Sequence, residues 1–167
     1  MKTLLDQLSN YADYHRSERN ITTHLIGVPM IVLALMVLLS RPAWVVSDLA
    51  LSPAVFIVVV LLLYYLRLHI AMGLIMSALL VSGLFLSAWV ATLDDAIWLA
   101  SGVGGFLLGW VIQFVGHYFE GRKPAFFDDV MGLAIGPLFV VAEVLFKFGL
   151  FSELAQEVEN RSGPVRP

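Results

Sequence analysis

Apolar stretches about as long as a lipid bilayer is thick dominate this sequence. The first of them, residues 21–40, contains no Asp, Glu, Lys or Arg, and a bilayer core requires about 20 residues of apolar helix. Of the 167 residues in the chain, 59% are hydrophobic and only 14% are charged. The mean hydropathy of +0.86 is far above that of soluble domains, in which about half of the residues are apolar. The sequence therefore predicts an all-α, polytopic helical membrane protein.

The apolar stretches predict about four to five transmembrane helices, at residues 21–40, 53–67, 70–91, 96–118 and 130–151. The continuous stretch 54–92 is too long for one helix, and Arg67 and His69 interrupt it where a tight hairpin is expected. Gly136 and Pro137 lie inside the last stretch. They indicate that it is buried or re-entrant, because proline disturbs a helix interior.

The first residues of the chain, 2–16, have the pattern of an amphipathic helix. One face carries side chains with the three-to-four spacing of a helix, at Leu4, Leu8, Tyr11 and His15. We expect this helix to lie on the membrane surface and Asn20 to cap the first span. We assign residues 1–151 to a single helical membrane domain. Residues 152–167 are expected to form a polar tail that is helical at first and then disordered.

Charge predicts the orientation of the spans and limits the possible partners. With the first residues in the cytoplasm, the inner segments carry most of the Lys and Arg residues, as the positive-inside rule requires. The membrane would be the inner membrane of a bacterium or the endoplasmic reticulum of a eukaryote. The net charge of −3 gives no basic surface for nucleic acid. Because cysteine is absent, any metal must be held by histidine, carboxylate, amide or water.

This topology brings the histidines of the chain to one level of the membrane. His24 and His117 lie at the inner ends of the first and fourth predicted spans. His69 lies at the inner turn between the second and third spans, and His15 lies on the surface helix on the same side. The four histidines are therefore candidate metal ligands in one site that faces the cytoplasm.

The fourth predicted span carries an amide, an imidazole and a carboxylate on one stripe. His117 follows Gln113 at i+4, and Glu120 follows at i+7. A His-x-x-Glu pair can present two metal ligands, as Glu-x-x-His does in carboxylate-bridged helix bundles. Small residues that favour close helix packing lie near one face of the same span, at Gly102, Gly105, Gly109 and Gly116.

Each of these residues also has a structural interpretation that does not require a site. A single histidine at the membrane interface is more often a hydrogen-bonded structural residue than a ligand, although four on one side favour a site. Arg122 and Lys123 are typical of anchors at the level of the lipid phosphates. Glu143 either pairs with Lys147 at i+4 or belongs to the site. The two aspartates at 128–129 are expected to cap the last helix.

Two motifs, in this order, resemble those of a known family. The first, Y-H-x4-N-x3-H-x3-V-P, is formed by Tyr14-His15, Asn20, His24 and Val28-Pro29. The second is formed by Gln113-Phe114, Gly116-His117, Phe119-Glu120 and Pro124-Ala125, followed by Glu143 and Phe146-Lys147. Over roughly residues 11–151 the chain resembles the fungal endoplasmic-reticulum 2-hydroxy fatty acid dioxygenase family and its bacterial relatives.

The resemblance implies an iron(II)-dependent enzyme that converts a 2-hydroxy long-chain fatty acid and O2 to the fatty acid one carbon shorter. Matching positions are the histidines His15, His24 and His117 and the polar residues Asn20, Gln113 and Glu120. Imidazole and carboxylate ligands with open positions are the usual setting for O2 activation at non-haem iron. Arg122 or Lys123 would hold the substrate carboxylate, and the acyl tail would lie among the spans, in contact with membrane lipid.

Two other functions are compatible with the residues alone. A haem-binding membrane redox protein would use two of the histidines as axial ligands, and a haem absorption band would identify it. A small-solute transporter would use His and Glu as a proton relay. The chain is short for a transporter, and it has no repeat of the kind that many transporters carry.

Overall fold

The computed structural model describes residues 2–46, 49–124 and 131–167, and most of these residues are helical. The all-α membrane class predicted from the sequence is confirmed. The helices are α1 (Leu4–Ala12), α2 (Glu18–Ser40), α3 (Pro53–Leu68), α4 (Ile70–Ala91), α5 (Asp95–Leu99), α6 (Gly105–Glu120), α7 (Gly132–Lys147) and α8 (Ser152–Ser162). A π-helical turn, Ala100–Gly104, joins α5 to α6. An antiparallel pair of short strands, β1 (Trp44–Val46) and β2 (Leu49–Leu51), lies between α2 and α3. The predicted cap at 128–129 lies outside the described residues.

Among the described residues, three helical stretches are long and apolar enough to cross a membrane. They are α2, α4 and the continuous stretch Asp95–Glu120. Helix α3 is apolar but shorter, at 16 residues, like the stretch 53–67 predicted from the sequence. Helices α7 and α8 pass the same test together, but they are bent by 116°, as a broken span or a re-entrant segment would be. The bend lies between α7 and α8, where Gly149 (φ 74°) and Phe151 (φ 56°) have a left-handed backbone conformation. Pro137 lies inside α7.

Large apolar side chains are exposed along the helices. Val60 and Leu63 on α3 are each 65% exposed, and Phe85 on α4 is 74% exposed. A soluble monomer rarely exposes extended apolar surface. In a bilayer, these side chains lie in hydrocarbon and need no protein partner.

The chain divides into two compact units. The first unit comprises Met1–Val28 and Trp110–Pro167, and the second comprises Pro29–Gly109. The division falls within α2 and α6. The assignment of residues 1–151 to a single domain stays a prediction.

In the second unit, α3 and α4 form the tight hairpin that the sequence predicted. A Cβ atom on Gly73 would lie 2.6 Å from the Leu66 Cα atom, so glycine allows the two backbones to meet. His69 connects the helices. Its N–H donates to the Tyr65 carbonyl at 3.0 Å, and its Nδ1 accepts from the Met72 N–H at 3.2 Å. His69 therefore caps the N-terminus of α4.

Two glycines of the predicted stripe pack closely in the second unit. A Cβ atom on Gly102 would overlap the Leu38 side chain, with Cγ at 2.6 Å, and one on Gly105 would lie 3.3 Å from the Ala34 Cβ atom. Both contacts are made with α2. These glycines therefore act as packing residues, as small residues do between membrane helices.

In the first unit, α1 begins with a reciprocal capping box. The Asp6 N–H donates to Thr3 Oγ1 at 3.1 Å, and the Thr3 N–H donates to Asp6 Oδ2 at 2.9 Å. The helix packs against α7 and α8, and Leu8 and Ala12 on its inner face are fully buried. The apolar face predicted for residues 2–16 is thus used, at least in part, for packing within the protein.

The structure corrects two details of the sequence interpretation. Helix α1 ends at Ala12, so His15 lies in the connection to α2 and not on a helix face. The His15 N–H donates to the Ala12 carbonyl at 2.9 Å, and this i→i−3 bond turns the chain out of the helix. Helix α2 begins at Glu18. Asn20 therefore lies inside the helix and does not cap it.

The residues after α8, expected to be disordered, instead run beside the start of α2. The Arg166 N–H donates to the Arg16 carbonyl at 2.6 Å, and the Glu18 N–H donates to the Arg166 carbonyl at 2.8 Å. Ser17 and Arg166 form a parallel β-bridge. The first N–H groups of a helix have no partner within the helix, and this segment supplies a partner for one of them.

Candidate metal centre

Three buried histidines from three different elements meet in the first unit. His15 lies between α1 and α2, His24 in the second turn of α2, and His117 in the last turn of α6. One ring nitrogen from each lies within 4.8 Å of the others, and none of the three residues is more than 6% exposed. Within the described residues, these three histidines are the set of His, Asp or Glu side chains that lie close enough together to hold a metal ion.

Hydrogen bonds determine which nitrogen of His15 and of His24 carries the hydrogen. The Nδ1 atom of His15 lies 2.7 Å from the Tyr11 carbonyl oxygen, and that of His24 lies 2.9 Å from the Asn20 carbonyl oxygen. A carbonyl oxygen can only accept, so each Nδ1 carries the hydrogen and each Nε2 carries a lone pair. The two Nε2 atoms are 3.1 Å apart. In neutral rings, the two lone pairs therefore face each other with no hydrogen between them.

This arrangement fits a divalent metal. Imidazole nitrogens bind such metals at about 2.0–2.1 Å, so two of them at neighbouring positions on one ion lie about 3 Å apart. Histidines that bind metals usually donate their other N–H to a carbonyl or carboxylate, which fixes the ring, and His15 and His24 do so. Burial, with a contribution from neighbouring His24, lowers the pKa of the His15 imidazole well below its usual value. The ring is therefore neutral at physiological pH, as a metal ligand must be.

His117 completes the cluster. Its ring centroid lies 5.1 Å from that of His15 and 4.9 Å from that of His24. Its Nδ1 atom is buried and has no hydrogen-bond partner among the described residues. A buried polar atom without a partner costs about 1–3 kcal/mol, and a cation coordinated by this nitrogen would remove that cost.

Aromatic side chains hold the His15 ring in place. Tyr11 stacks on it with a centroid distance of 4.2 Å and an interplanar angle of 3°. Phe139 on α7 lies 5.7 Å from the same ring. Gly136, one turn earlier on α7, makes room for the tyrosine, because a Cβ atom there would lie 2.9 Å from the Tyr11 hydroxyl.

Glu120 anchors the connection between α1 and α2. Its Oε2 atom accepts from the Arg16 N–H at 3.0 Å, the Ser17 N–H at 2.7 Å and Asn20 Nδ2 at 3.1 Å. Its Oε1 atom accepts from Arg166 Nη2 at 2.6 Å. The carboxylate thus accepts hydrogen bonds from free N–H groups at the N-terminus of α2, where the helix dipole favours negative charge. A direct catalytic or metal-binding role for Glu120 stays a prediction.

Asn20 connects the Glu120 carboxylate to the cluster of three histidines. Its side chain donates to Glu120, and its carbonyl accepts the Nδ1 hydrogen of His24. The residue is fully buried. Gly116 on α6 provides the space, because a Cβ atom there would lie 2.5 Å from Asn20 Oδ1.

Arg16 binds the segments around His15 together. Its Nε donates to the carbonyls of Ala12 at 3.0 Å and of His15 at 3.1 Å, and its Nη1 donates to the Gly163 carbonyl at 2.9 Å. Its Nη2 lies 3.8 Å from Glu143 Oε1. This ion pair joins Glu143 to the residue that follows His15, and both interpretations of Glu143, pairing with Lys147 or a role in the site, stay predictions.

The other residues predicted for the site have different surroundings. Gln113 is 4% exposed on α6, one turn before His117, and its Oε1 has no partner among the described residues. Arg122 is exposed, and its Nη1 donates to the Asp13 carbonyl at 2.7 Å. His69 belongs to the second unit, where it caps α4. Its assignment as a metal ligand stays a prediction.

Sequence reasoning missed the contributions of Ser17 and Arg166. Ser17 contacts Glu120 through its main chain, which no residue type reveals. Arg166 belongs to the stretch SGPVRP, whose polar and proline-containing composition is typical of disorder. The i+4 spacing of Tyr11 and His15 was the one available signal for their stacking.

Comparison with known proteins agrees with the motifs. Residues 1–148 match a family described as 2-hydroxy-palmitic acid dioxygenase Mpo1-like. The chain is 34% identical over 161 residues to the 2-hydroxy-palmitic acid dioxygenase MPO1 of Saccharomyces cerevisiae, and this match covers 94% of the chain and 88% of the yeast protein. No solved structure matches the chain. The resemblance predicted from the two motifs is confirmed.

Proposed function

Since this chain belongs to the 2-hydroxy-palmitic acid dioxygenase Mpo1-like family, we propose that it is an iron(II)-dependent dioxygenase of 2-hydroxy long-chain fatty acids. The product is the fatty acid one carbon shorter. In a balanced form, R–CHOH–COOH and O2 give R–COOH, CO2 and H2O. The substrate loses four electrons, and O2 accepts them.

The observation that carries the proposal is the 3.1 Å separation of the Nε2 atoms of His15 and His24. Together with His117, they form a buried set of three imidazoles. Imidazole is a ligand that suits Fe(II), and three such ligands leave coordination positions open for substrate and O2. When bound, a ferrous ion would supply the Lewis acidity and the redox chemistry that O2 activation requires.

Two further residues are proposed to contact the substrate. Gln113 Oε1 is buried without a partner among the described residues, so it is suited to accept the hydrogen bond of the 2-hydroxyl group. Arg122 is exposed near the end of α6 and is proposed to hold the carboxylate. Its bond to the Asp13 carbonyl uses one of the five N–H groups of a guanidinium. Glu120 and Asn20 are proposed to act by holding His15 and His24.

The membrane explains how such a substrate would reach the site. The acyl tail would lie in hydrocarbon among apolar helices, and the carboxylate would remain near water and the exposed cation Arg122. We propose that this site faces the cytoplasm, in the inner membrane of a bacterium or in the endoplasmic reticulum of a eukaryote.

The reaction can be tested with purified protein in mild detergent. Incubation with 2-hydroxypalmitate, Fe(II) and air is expected to yield the C15 acid, detected by mass spectrometry. Palmitate should react poorly, because it lacks the hydroxyl that completes a chelate. Equal turnover of palmitate, or undiminished product under strict anaerobiosis, would contradict the proposed reaction.

The Gln113 contact has its own test. Gln113→Leu removes the acceptor for the substrate hydroxyl and is expected to lower kcat/KM for 2-hydroxypalmitate about tenfold, the effect of one hydrogen bond. Gln156→Leu, an exposed position on α8, is the matched control and should retain full activity. An unchanged kcat/KM in the Gln113 variant would remove that residue from the site.

A further inference from the structure

The residues after α8 form a strap, residues 163–166, across the connection that carries His15. Arg16 Nη1 donates to the Gly163 carbonyl at 2.9 Å. The Arg166 N–H donates to the Arg16 carbonyl at 2.6 Å, and the Glu18 N–H donates to the Arg166 carbonyl at 2.8 Å. The strap therefore binds the connection through main-chain atoms on both sides of Ser17.

The residue that follows His15 is held from two directions. The Arg16 N–H donates to Glu120 Oε2, and the Arg16 carbonyl accepts from the strap. The peptide bond between His15 and Arg16 places the His15 carbonyl within reach of Arg16 Nε, at 3.1 Å. Because His15 lies outside the helices, these bonds replace helical hydrogen bonds in fixing its backbone.

The Arg166 side chain reinforces the same connection through Glu120. The Arg166 side chain is 63% exposed, whereas the Glu120 side chain is 1% exposed, and the two charges meet at 2.6 Å. Removal of the guanidinium would leave a buried carboxylate oxygen without this cation, which is costly. The carboxylate would then move or take up water, and its three bonds through Oε2 would weaken.

From these contacts we infer that Arg166 is a positioning residue of the metal centre, acting through Glu120 and Arg16 on His15. The inference rests on the proposed function, because it requires that His15 bind a metal. The strap lies beyond residues 1–148, the part matched by the family model. Removal of a group that orients a metal ligand typically lowers metal affinity about 10–100-fold. We expect a loss of affinity in the same range for Arg166→Ala.

Binding of Co(II), followed by its visible absorption, tests the inference without any need for turnover. The full chain is titrated in detergent as wild type, Arg166→Ala and Arg166→Lys. The Arg166→Ala variant should have a Kd at least about tenfold higher, and Arg166→Lys should recover part of the affinity. Arg161→Ala is the matched control. It removes an arginine from α8 that pairs with Asp6 at 2.8 Å, and it should leave the Kd within about twofold of wild type.

The thermal midpoint of each variant separates positioning from general stability. A purely structural role for Arg166 would lower its Tm and leave the Co(II) Kd unchanged, and that result would overturn the inference while leaving the proposed function intact. Failure of the wild type to bind Co(II) would overturn both. If Arg166→Ala does not fold, Arg166→Gln removes the charge with less loss of side-chain length. Its Kd should rise, and a Kd equal to that of wild type would overturn the inference.

Discussion

His15 and His24 face each other through Nε2 atoms 3.1 Å apart, although each ring already donates its Nδ1 hydrogen to a main-chain carbonyl. Two neutral imidazoles in this arrangement repel each other through their lone pairs. A divalent cation between them would convert the repulsion into two coordinate bonds. The carbonyls of Tyr11 and Asn20 therefore orient the donor atoms before any ion binds.

Replacement of a proposed ligand should abolish metal binding without preventing insertion into the membrane. His24→Ala removes one of the facing Nε2 atoms, and metal content after loading with Fe(II), measured by mass spectrometry, should fall at least about tenfold. Gln156→Ala, at an exposed position on α8 with no proposed role in the site, is the control and should retain the metal. Full occupancy in the His24 variant would show that the three-histidine site is not the metal site.

Gly116 is expected to tolerate no side chain. A Cβ atom there would lie 2.5 Å from Asn20 Oδ1 and closer still to Thr23 Oγ1. Gly116→Ala should therefore destabilise the protein by about 1–3 kcal/mol and lower its Tm in detergent. It should also weaken metal binding, because Asn20 holds His24.

Gly104→Ala provides the comparison for Gly116. Apart from Gly104 itself, its chain neighbours and the nearby backbone of its own helix, no atom of the described residues lies within 4 Å of a Cβ atom at Gly104, so the added methyl group meets open space. Replacement of glycine by alanine in a helix is stabilising by up to about 1 kcal/mol. Equal Tm values for the two alanine variants would contradict the close approach at Gly116.

The helical part of the site could be predicted from the sequence because membrane spans have a nearly fixed length. The bounds predicted for α4 are those observed, and those for α3 differ by one residue. His24 and His117 lie on helices and were therefore placed correctly near helix ends. The assignment of residues 1–151 to one domain stays a prediction. The placement of His69 in the same site as His24 and His117 also stays a prediction.

The connection between α1 and α2 could not be predicted, because its conformation depends on partners far away in the chain. Glu120 contacts Arg16 and Ser17 across more than a hundred residues. Arg166 reaches the same segment from the end of a stretch that has no hydrophobic periodicity. Local patterns describe helices well, but long-range hydrogen bonds of irregular segments leave no comparable signal.

The ion pair that holds the start of α1 predicts a dependence of stability on pH. The Thr3 N–H bond, with the Arg161 ion pair, lowers the pKa of Asp6 from 3.8 to about 2. A carboxyl group whose pKa is lower in the folded state stabilises the fold above its unfolded pKa, and this contribution is lost as pH falls towards the folded pKa. Asp6→Asn should therefore lower the Tm at pH 7, and the difference from wild type should shrink between pH 4 and pH 2. A difference that stays constant over this range would contradict the assignment.

Labelling of single cysteines tests the orientation of the site. The natural chain has no cysteine, so each introduced thiol is unique. Asp95 is the first residue of the stretch that ends at Glu120, Lys123 follows the stretch, and both are exposed. Because Lys and Arg are concentrated on the segments assigned to the inside, a membrane-impermeant maleimide should label Asp95→Cys in intact cells. Lys123→Cys should react only after the membrane is permeabilised.

The choice of positions keeps the helix ends intact. Asp94, not Asp95, caps α5 through its side chain, and the exposed pair of Asp95 with Arg41 contributes little, at most about 1 kcal/mol. Permeabilised cells should label both variants, which controls for expression and thiol reactivity. Since His117 lies six residues before Lys123, labelling of Lys123→Cys alone in intact cells would place the metal centre on the outer face. The substrate would then have to reach it from outside the cytoplasm.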